Sequence, residues 1–205
     1  MSINTEPRRA SPVTRRKELH TPVRTHLAIR IVRIIIALAM IALGIYVMLS
    51  ERSIRMMETD LASQIFPHVF ADEAIRGTSA GEPAVAFGVD ATWWALRVTV
   101  ECAIAFYIGP VIMLGGLLSA IPRMGLVRVF SATAIVVAAL VLLNQVRLLM
   151  LGFVLGTYGR GAFEWAHSLA GSFLMLFGLA GCLFLFFRLV IVGSLRANRI
   201  ARVES

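Results

Sequence analysis

The chain has 205 residues, 58% of them apolar and 16% charged, and its mean hydropathy is +0.80. Soluble domains have roughly 45–50% apolar and about 25% charged residues, so this composition excludes a cytosolic enzyme, a disordered chain and a disulfide-rich secreted module. The net charge of +8 comes from basic residues that flank apolar runs, which favours a role in membrane orientation over nucleic-acid binding.

Four apolar stretches reach the length of about 20 residues that a membrane-spanning helix requires. They cover residues 34–50, residues 102–121, residues 129–155 and residues 168–192. We therefore predict an all-α polytopic membrane protein with a bundle of about four transmembrane helices. Residues 1–28 are predicted as a disordered basic tail, residues 29–192 as the transmembrane domain and residues 193–205 as a second tail.

The distribution of basic residues predicts the orientation of this bundle. With the N-terminus in the cytoplasm, fourteen Lys and Arg lie inside and five outside, while nine of the twelve acidic residues lie outside. Because basic residues accumulate on the cytoplasmic side, both termini are expected there, in the plasma membrane.

The predicted extracytoplasmic loop, residues 51–98, is long for a connection without a function. Within it, residues 78–83 predict a turn and residues 84–89 a short strand, and Trp93 and Trp94 are typical of the outer membrane interface. No recognisable motif indicates the role of this loop.

Arg147 lies inside the third apolar stretch, where an ionisable residue indicates a functional site. Asn144 precedes it by three residues and therefore shares its helix face. The alternative is an arginine whose side chain extends to the outer headgroups.

Two further residues are expected near the outer boundary, since Cys102 begins the second stretch and His167 precedes the fourth. Cys182 lies fifteen residues beyond His167, about 22 Å along a helix, so it is expected to be an ordinary apolar filler that cannot pair with Cys102.

A thiol, an imidazole and a guanidinium on three helices suit covalent acyl transfer. Cys102 is the candidate nucleophile, His167 the general base and acid, and Arg147 the stabiliser of an oxyanion or thiolate. Glu101 is a supporting candidate that either orients His167 or pairs with Arg97.

The order of these residues resembles the exosortase/archaeosortase family: Glu101-Cys102, then Asn144-Gln145-Val146-Arg147, then His167 at the start of an apolar helix. The resemblance implies a membrane cysteine transpeptidase or protease with a Cys, Arg and His site facing outside. It also implies substrates that are membrane-anchored surface proteins with a C-terminal sorting signal, and an acceptor of unknown identity. Asn144 would then bond Arg147 or line the site. In this chain Ala103 and Ile104 follow the cysteine where the family often has Ser-Gly, and there are fewer predicted spans.

Two other functions remain open at the level of sequence. In a non-catalytic membrane assembly protein, Gly152, Gly156, Gly171, Gly178 and Gly181 would be helix-packing positions and Arg147 an interhelical clamp. In a small transporter, Pro110 would break the second helix, but no acidic pairs in the spans favour ion coupling. No cofactor, metal site or nucleic-acid partner is expected.

Overall fold

The computed structural model of the protein describes the backbone of residues 23–203 and the side chains of residues 27–191. This part of the chain is mostly helical and contains one small sheet. Its elements are α1 (Val23–Leu49), α2 (Glu51–Val69), β1 (Glu73–Ser79), β2 (Glu82–Val89), β3 (Thr92–Arg97), α3 (Ala105–Ser119), α4 (Leu126–Trp165) and α5 (Gly171–Val203). The predicted N-terminal tail lies outside the described residues up to residue 22, and the backbone of residues 193–203 continues α5.

Two helical stretches are long and apolar enough to cross a membrane, Leu27–Leu49 and Leu126–Ile191. The second has 66 residues, and its backbone leaves helical geometry at Gly159. Beyond this residue the chain packs antiparallel to its own first half, because Gly171 lies against Arg147 and Gly178 against Leu143. The stretch is therefore a helical hairpin with two arms, which correspond to the third and fourth predicted apolar stretches.

The second predicted stretch is shorter than expected, since α3 covers only Ala105–Ser119. This helix packs closely on α1: a Cβ on Gly44 would lie 2.7 Å from the Gly109 carbonyl oxygen, and one on Gly116 would lie 3.0 Å from the Ala37 carbonyl oxygen. At the far end of this pair the Arg33 guanidinium donates to the carbonyl groups of Ser119, Ile121 and Met124. The N-terminal part of α1 thus lies beside the α3–α4 connection.

The prediction of an all-α protein is wrong in one respect, because the predicted loop contains an antiparallel sheet of order β1-β2-β3. The strand predicted at residues 84–89 is confirmed as part of β2. The predicted turn is also confirmed: Ala80 and Gly81 join β1 to β2 with φ values of 53° and 81°, as in a two-residue hairpin turn.

Helix α2 connects this sheet to the helical bundle. Its buried positions recur at intervals of three or four residues, with Glu58 and Thr59 adjacent, and include two charged side chains; they are Arg55, Glu58, Thr59, Ala62 and Phe66. Arg55 bonds Glu51 on its own helix and Glu82 on β2, and it donates to the Val98 carbonyl over 2.9 Å. This side chain therefore fixes the segment between β3 and Cys102.

The glycines proposed as helix-packing positions have different neighbours. Gly152 lies against the ring of Phe66 in α2 and the ring of Phe70 directly after this helix, and Gly156 lies against Phe87 and Val89 of β2. These two glycines therefore leave room for the outer subdomain, which consists of α2 and the sheet (residues 51–97), rather than for another apolar helix. A Cβ on Gly181 would have no atom within 4 Å.

The turn at Gly159 gives a test of the hairpin. Its φ of 78° and ψ of −172° fall in a region that is essentially restricted to glycine, so we expect Gly159→Ala to destabilise the fold by about 1–3 kcal/mol. The measurement is the thermal unfolding midpoint of the detergent-solubilised protein. Gly161→Ala is the matched control, because a Cβ has free space at both sites but Gly161 has helical backbone. Equal midpoints for the two variants would contradict the assigned turn.

Candidate functional site

The structure brings Cys102 and His167 together although 65 residues separate them. Cys102 ends a 3-10 turn, Val100–Cys102, that precedes α3, while His167 lies in a π-helical turn, Ala166–Ala170, between α4 and α5. The Cys102 Sγ lies 4.0 Å from His167 Nδ1 and 3.9 Å from Thr99 Oγ1. The extra residue of a π-helical turn often marks a functional site, and here it occurs at the histidine.

The His167 ring is held from one side by Phe163, one helical turn earlier, with ring centroids 5.6 Å apart and planes 17° apart. Its Nε2 lies 4.0 Å from the Glu101 carboxylate. The Glu101 side chain is 84% exposed, so this ion pair contributes little to holding the ring. Glu101 therefore faces His167, and no described contact joins it to Arg97.

Arg147 is 4% exposed, which contradicts the alternative of a side chain extended to the headgroups. Its Nε and Nη1 atoms are buried and have no hydrogen-bond partner among the described residues. The absence of a side chain at Gly171 leaves room for the Arg147 guanidinium, because a Cβ there would lie 3.0 Å from Arg147 Nε. Buried donors are rarely left unpaired in folded proteins, so these two donors indicate a site for an acceptor.

Asn144 is buried like Arg147, and of its two expected roles it lies at the site rather than bonding Arg147. Its Nδ2 donates to Glu58 Oε1 over 2.6 Å and to the Cys102 carbonyl over 3.3 Å, and no described hydrogen bond joins it to Arg147. The adjacent Gln145 donates to the Glu58 carbonyl over 3.5 Å. Asn144 thus holds the backbone of the candidate nucleophile.

Glu58 is a buried member of the site that the sequence analysis missed. Its carboxylate is 5% exposed, and its Oε2 has no partner among the described residues. Its position on α2 could have identified it from the sequence. Glu58 lies three residues after Arg55 and four before Ala62, on the helix face that packs inward. A charged residue on an amphipathic helix normally faces water, and this is why the pattern did not identify it.

Burial changes the acid–base properties of two groups that lie outside the apolar helices. Desolvation raises the pKa of Glu58 to about 7, against the lowering effects of Asn144 and Arg147. Desolvation also raises the pKa of the Cys102 thiol, while the Arg147 charge lowers it and the Glu58 charge raises it. The resting group is therefore a thiol, and Arg147 acts on it in the direction expected for a thiolate stabiliser.

Two clefts meet at Glu101 and His167. The outer cleft, of about 900 Å³, lies between β3 and the end of α4. The second, of about 660 Å³, is lined by Arg147 and Tyr107 and by apolar side chains, namely Leu169 of the π-helical turn and Phe173, Met175, Leu176 and Leu179 of α5. Cys102 lies behind this junction and lines neither cleft, so a substrate reaches the sulfur only when His167 or the 3-10 turn shifts.

Both cysteines are free, as their predicted separation required. Cys182 is buried in the core of the helical bundle with Leu140 and Phe186, whereas Cys102 belongs to the core between α2, the sheet and α4. Among the residues described, no group of three or more His, Cys, Asp and Glu is placed to hold a metal ion.

A scan against protein-family models and searches of curated proteins and of solved structures found no match. A functional assignment therefore depends on the arrangement of the site residues.

The raised pKa of Glu58 predicts how stability depends on pH. The folded state keeps this proton up to about pH 7, whereas the unfolded state loses it near 4.5, so ionisation destabilises the fold as the pH rises through that window. We expect Glu58→Gln to match the wild type near pH 4 and to be more stable at pH 8, by at most about 3 kcal/mol. Thermal unfolding across this range measures the difference. Glu164→Gln, at an exposed site, is the control, and a Glu58→Gln variant that is less stable at pH 8 would contradict the assignment.

Proposed function

We propose that the protein is a membrane-embedded cysteine peptidase or transpeptidase that cleaves a C-terminal sorting signal of surface proteins through an acyl-enzyme on Cys102. The observation that carries the proposal is the meeting of a thiol and an imidazole, 4.0 Å apart, beside a buried guanidinium with two unpaired donors. Each of these groups comes from a different part of the chain, and together they supply a nucleophile, a base and an electrophilic stabiliser.

In the proposed reaction, neutral His167 accepts the thiol proton on Nδ1 as the sulfur of Cys102 attacks the carbonyl carbon of the substrate. The carbon–sulfur bond forms and the carbonyl oxygen becomes an oxyanion. When the carbon–nitrogen bond breaks, His167 returns the proton to the leaving amine, which leaves a thioester on Cys102. An acceptor amine or a water molecule then attacks the thioester and regenerates the thiol.

We assign to Arg147 the stabilisation of the negative charge that develops first on the sulfur and then on the oxyanion. Its unpaired Nε and Nη1 donors are available without the loss of an existing bond. A guanidinium that is fixed in a water-poor site stabilises such a charge more than a solvated one, because little reorganisation is needed at the moment of reaction. The planar fork also matches an oxygen acceptor better than an ammonium would.

The proposal includes a multi-pass arrangement in the plasma membrane with the site facing outside. The two arms of the hairpin and α1 have the apolar composition for it, and α3 packs against α1. Arg33 and the α3–α4 connection, both expected in the cytoplasm, lie together at one end of the bundle. A substrate with one transmembrane helix would place it along the apolar cleft of α5 and its outer segment in the cleft beside β3.

A non-catalytic assembly protein is the second candidate, and the 2% exposure of Cys102 favours it. In that case the thiol fills space in the outer core, and Arg147 and Glu58 join the outer subdomain to the bundle. The two candidates predict different effects of removing the Cys102 sulfur. For the peptidase, surface proteins would no longer be cleaved, whereas for the assembly protein their termini would be unchanged.

We expect Cys102→Ala to reduce processing at least about 1000-fold, because the variant lacks the thiol that is assigned to form the acyl-enzyme beside His167. The measurement compares, by mass spectrometry, the C-termini of surface and released proteins from cells that carry the wild type or the variant. Cys182→Ala is the matched control, since it removes a buried cysteine remote from the site. Identical termini in Cys102→Ala and wild-type cells would contradict the peptidase and favour the assembly protein.

A further inference from the structure

Strand β3 forms one edge of the sheet, and its outward backbone groups can be identified. The Val98 N–H donates to the Pro83 carbonyl over 2.8 Å, which makes these residues a hydrogen-bonded pair with β2. In an antiparallel ladder such pairs alternate, so Trp94 and Leu96 also face β2. The N–H and C=O groups of Trp93, Ala95 and Arg97 therefore point away from β2, and no hydrogen bond of the described chain reaches them.

These outward groups lie along the outer cleft. Trp93, Ala95 and Arg97 line it, and so does Trp94, whose side chain projects from the opposite face of the strand. The lining therefore includes residues from both faces of β3, together with Ser79 of β1. On the other wall of the cleft lie Leu155, Arg160 and Phe163 of α4.

The unpaired backbone groups along the free edge of β3 favour an extended polypeptide as the ligand. Three consecutive outward residues present donors and acceptors at the spacing of a strand, which only another extended main chain matches in full. The charged lining groups are Arg97, Arg160, Glu101 and Glu164, so the cleft has no excess charge to attract a nucleic acid or an anionic headgroup. The volume of about 900 Å³ is at the upper end of the range for clefts that enclose ligands.

The edge also leads to the reactive sulfur. From Arg97 the chain continues through Thr99 and Glu101 to Cys102, and the cleft ends at His167. A segment that lies along the edge thus reaches His167, and the thiol behind this ring becomes accessible when His167 or the 3-10 turn shifts. Because a substrate of the proposed type continues from the cleaved bond into its membrane helix, its chain direction is that of β3.

We infer that the substrate segment preceding the cleaved bond adds to β3 as a fourth, parallel strand, with main-chain hydrogen bonds to Trp93, Ala95 and Arg97. This inference rests on the proposed function and specifies how the substrate is recognised. Trp93 and Trp94 lie on opposite faces of the edge and contact alternate side chains of the added strand. Main-chain bonds supply sequence-independent affinity, and these two rings supply the side-chain preference.

The test removes one outward donor. Ala95→Pro deletes an N–H that makes no bond with β2, and proline is tolerated at such positions of edge strands. The probe is the set of precursors that accumulate in Cys102→Ala cells. We expect Ala95→Pro to slow their processing at least tenfold, while Thr78→Pro, which deletes an outward N–H on the opposite edge strand β1 and does not line the cleft, processes them at the wild-type rate.

If Ala95→Pro does not accumulate in the membrane, an ester in place of the amide at Ala95 removes the same donor with less disturbance. Wild-type processing by the proline or ester form would overturn the strand addition and leave the peptidase assignment intact. Equal processing in wild-type and Cys102→Ala cells would contradict the proposed function and, with it, this binding mode. An efficient disulfide between two copies of Ala95→Cys, in a background without the native cysteines, would identify a second copy as the occupant and would also overturn the inference.

Discussion

The side-chain amide of Asn144 joins three parts of the chain at the boundary between two hydrophobic cores. It donates to the Glu58 carboxylate of α2 and to the Cys102 carbonyl, and it is itself carried by α4. One core lies inside the helical bundle and the other between α2, the sheet and the outer part of α4. Because an amide has two N–H donors, one residue can serve both partners, and the position of the candidate nucleophile follows from this bond.

A buried polar layer of this kind is costly, which makes its composition informative. Glu58 and Arg147 are both almost fully buried, and each has atoms without a partner among the described residues. Replacement by apolar side chains of similar size would often be neutral or stabilising, so stability alone does not explain these charges. Under the proposed function, a requirement for a cation next to the thiol would explain Arg147.

Within that layer, two acidic groups share one cation. The Arg147 charge lowers the pKa of both Glu58 and Cys102, and the Glu58 charge raises the pKa of Cys102. When Glu58 holds a proton, the field of Arg147 therefore acts on the sulfur without an opposing charge. Because the site is buried and its effective dielectric constant is low, the pKa values of Glu58 and Cys102 are raised. The same low dielectric constant strengthens the interaction of each group with the Arg147 charge.

The sequence predicted the apolar helices and, in the outer subdomain, the strand and the turn within residues 78–89, but it did not predict β1 or β3. Long apolar runs identify helices through composition, and the charged Arg147 within such a run was recognisable as an exception. In contrast, β1 is mostly exposed and β3 has adjacent tryptophans, so neither shows the alternation of a half-buried strand. Both are specified by pairing with β2, which is a tertiary effect. Glu58 was missed because its burial depends on α2 packing over the site.

The central claim is that Arg147 acts on the sulfur of Cys102, and one measurement tests it without a substrate. In a Cys182→Ala background Cys102 is the only thiol, so its alkylation by iodoacetamide can be followed by mass spectrometry from pH 7 to 11. The account predicts that Arg147→Met shifts this profile to higher pH, while Arg160→Met, at an exposed site in the outer cleft, leaves it in place. Superimposable profiles for Arg147→Met and its parent would contradict the account.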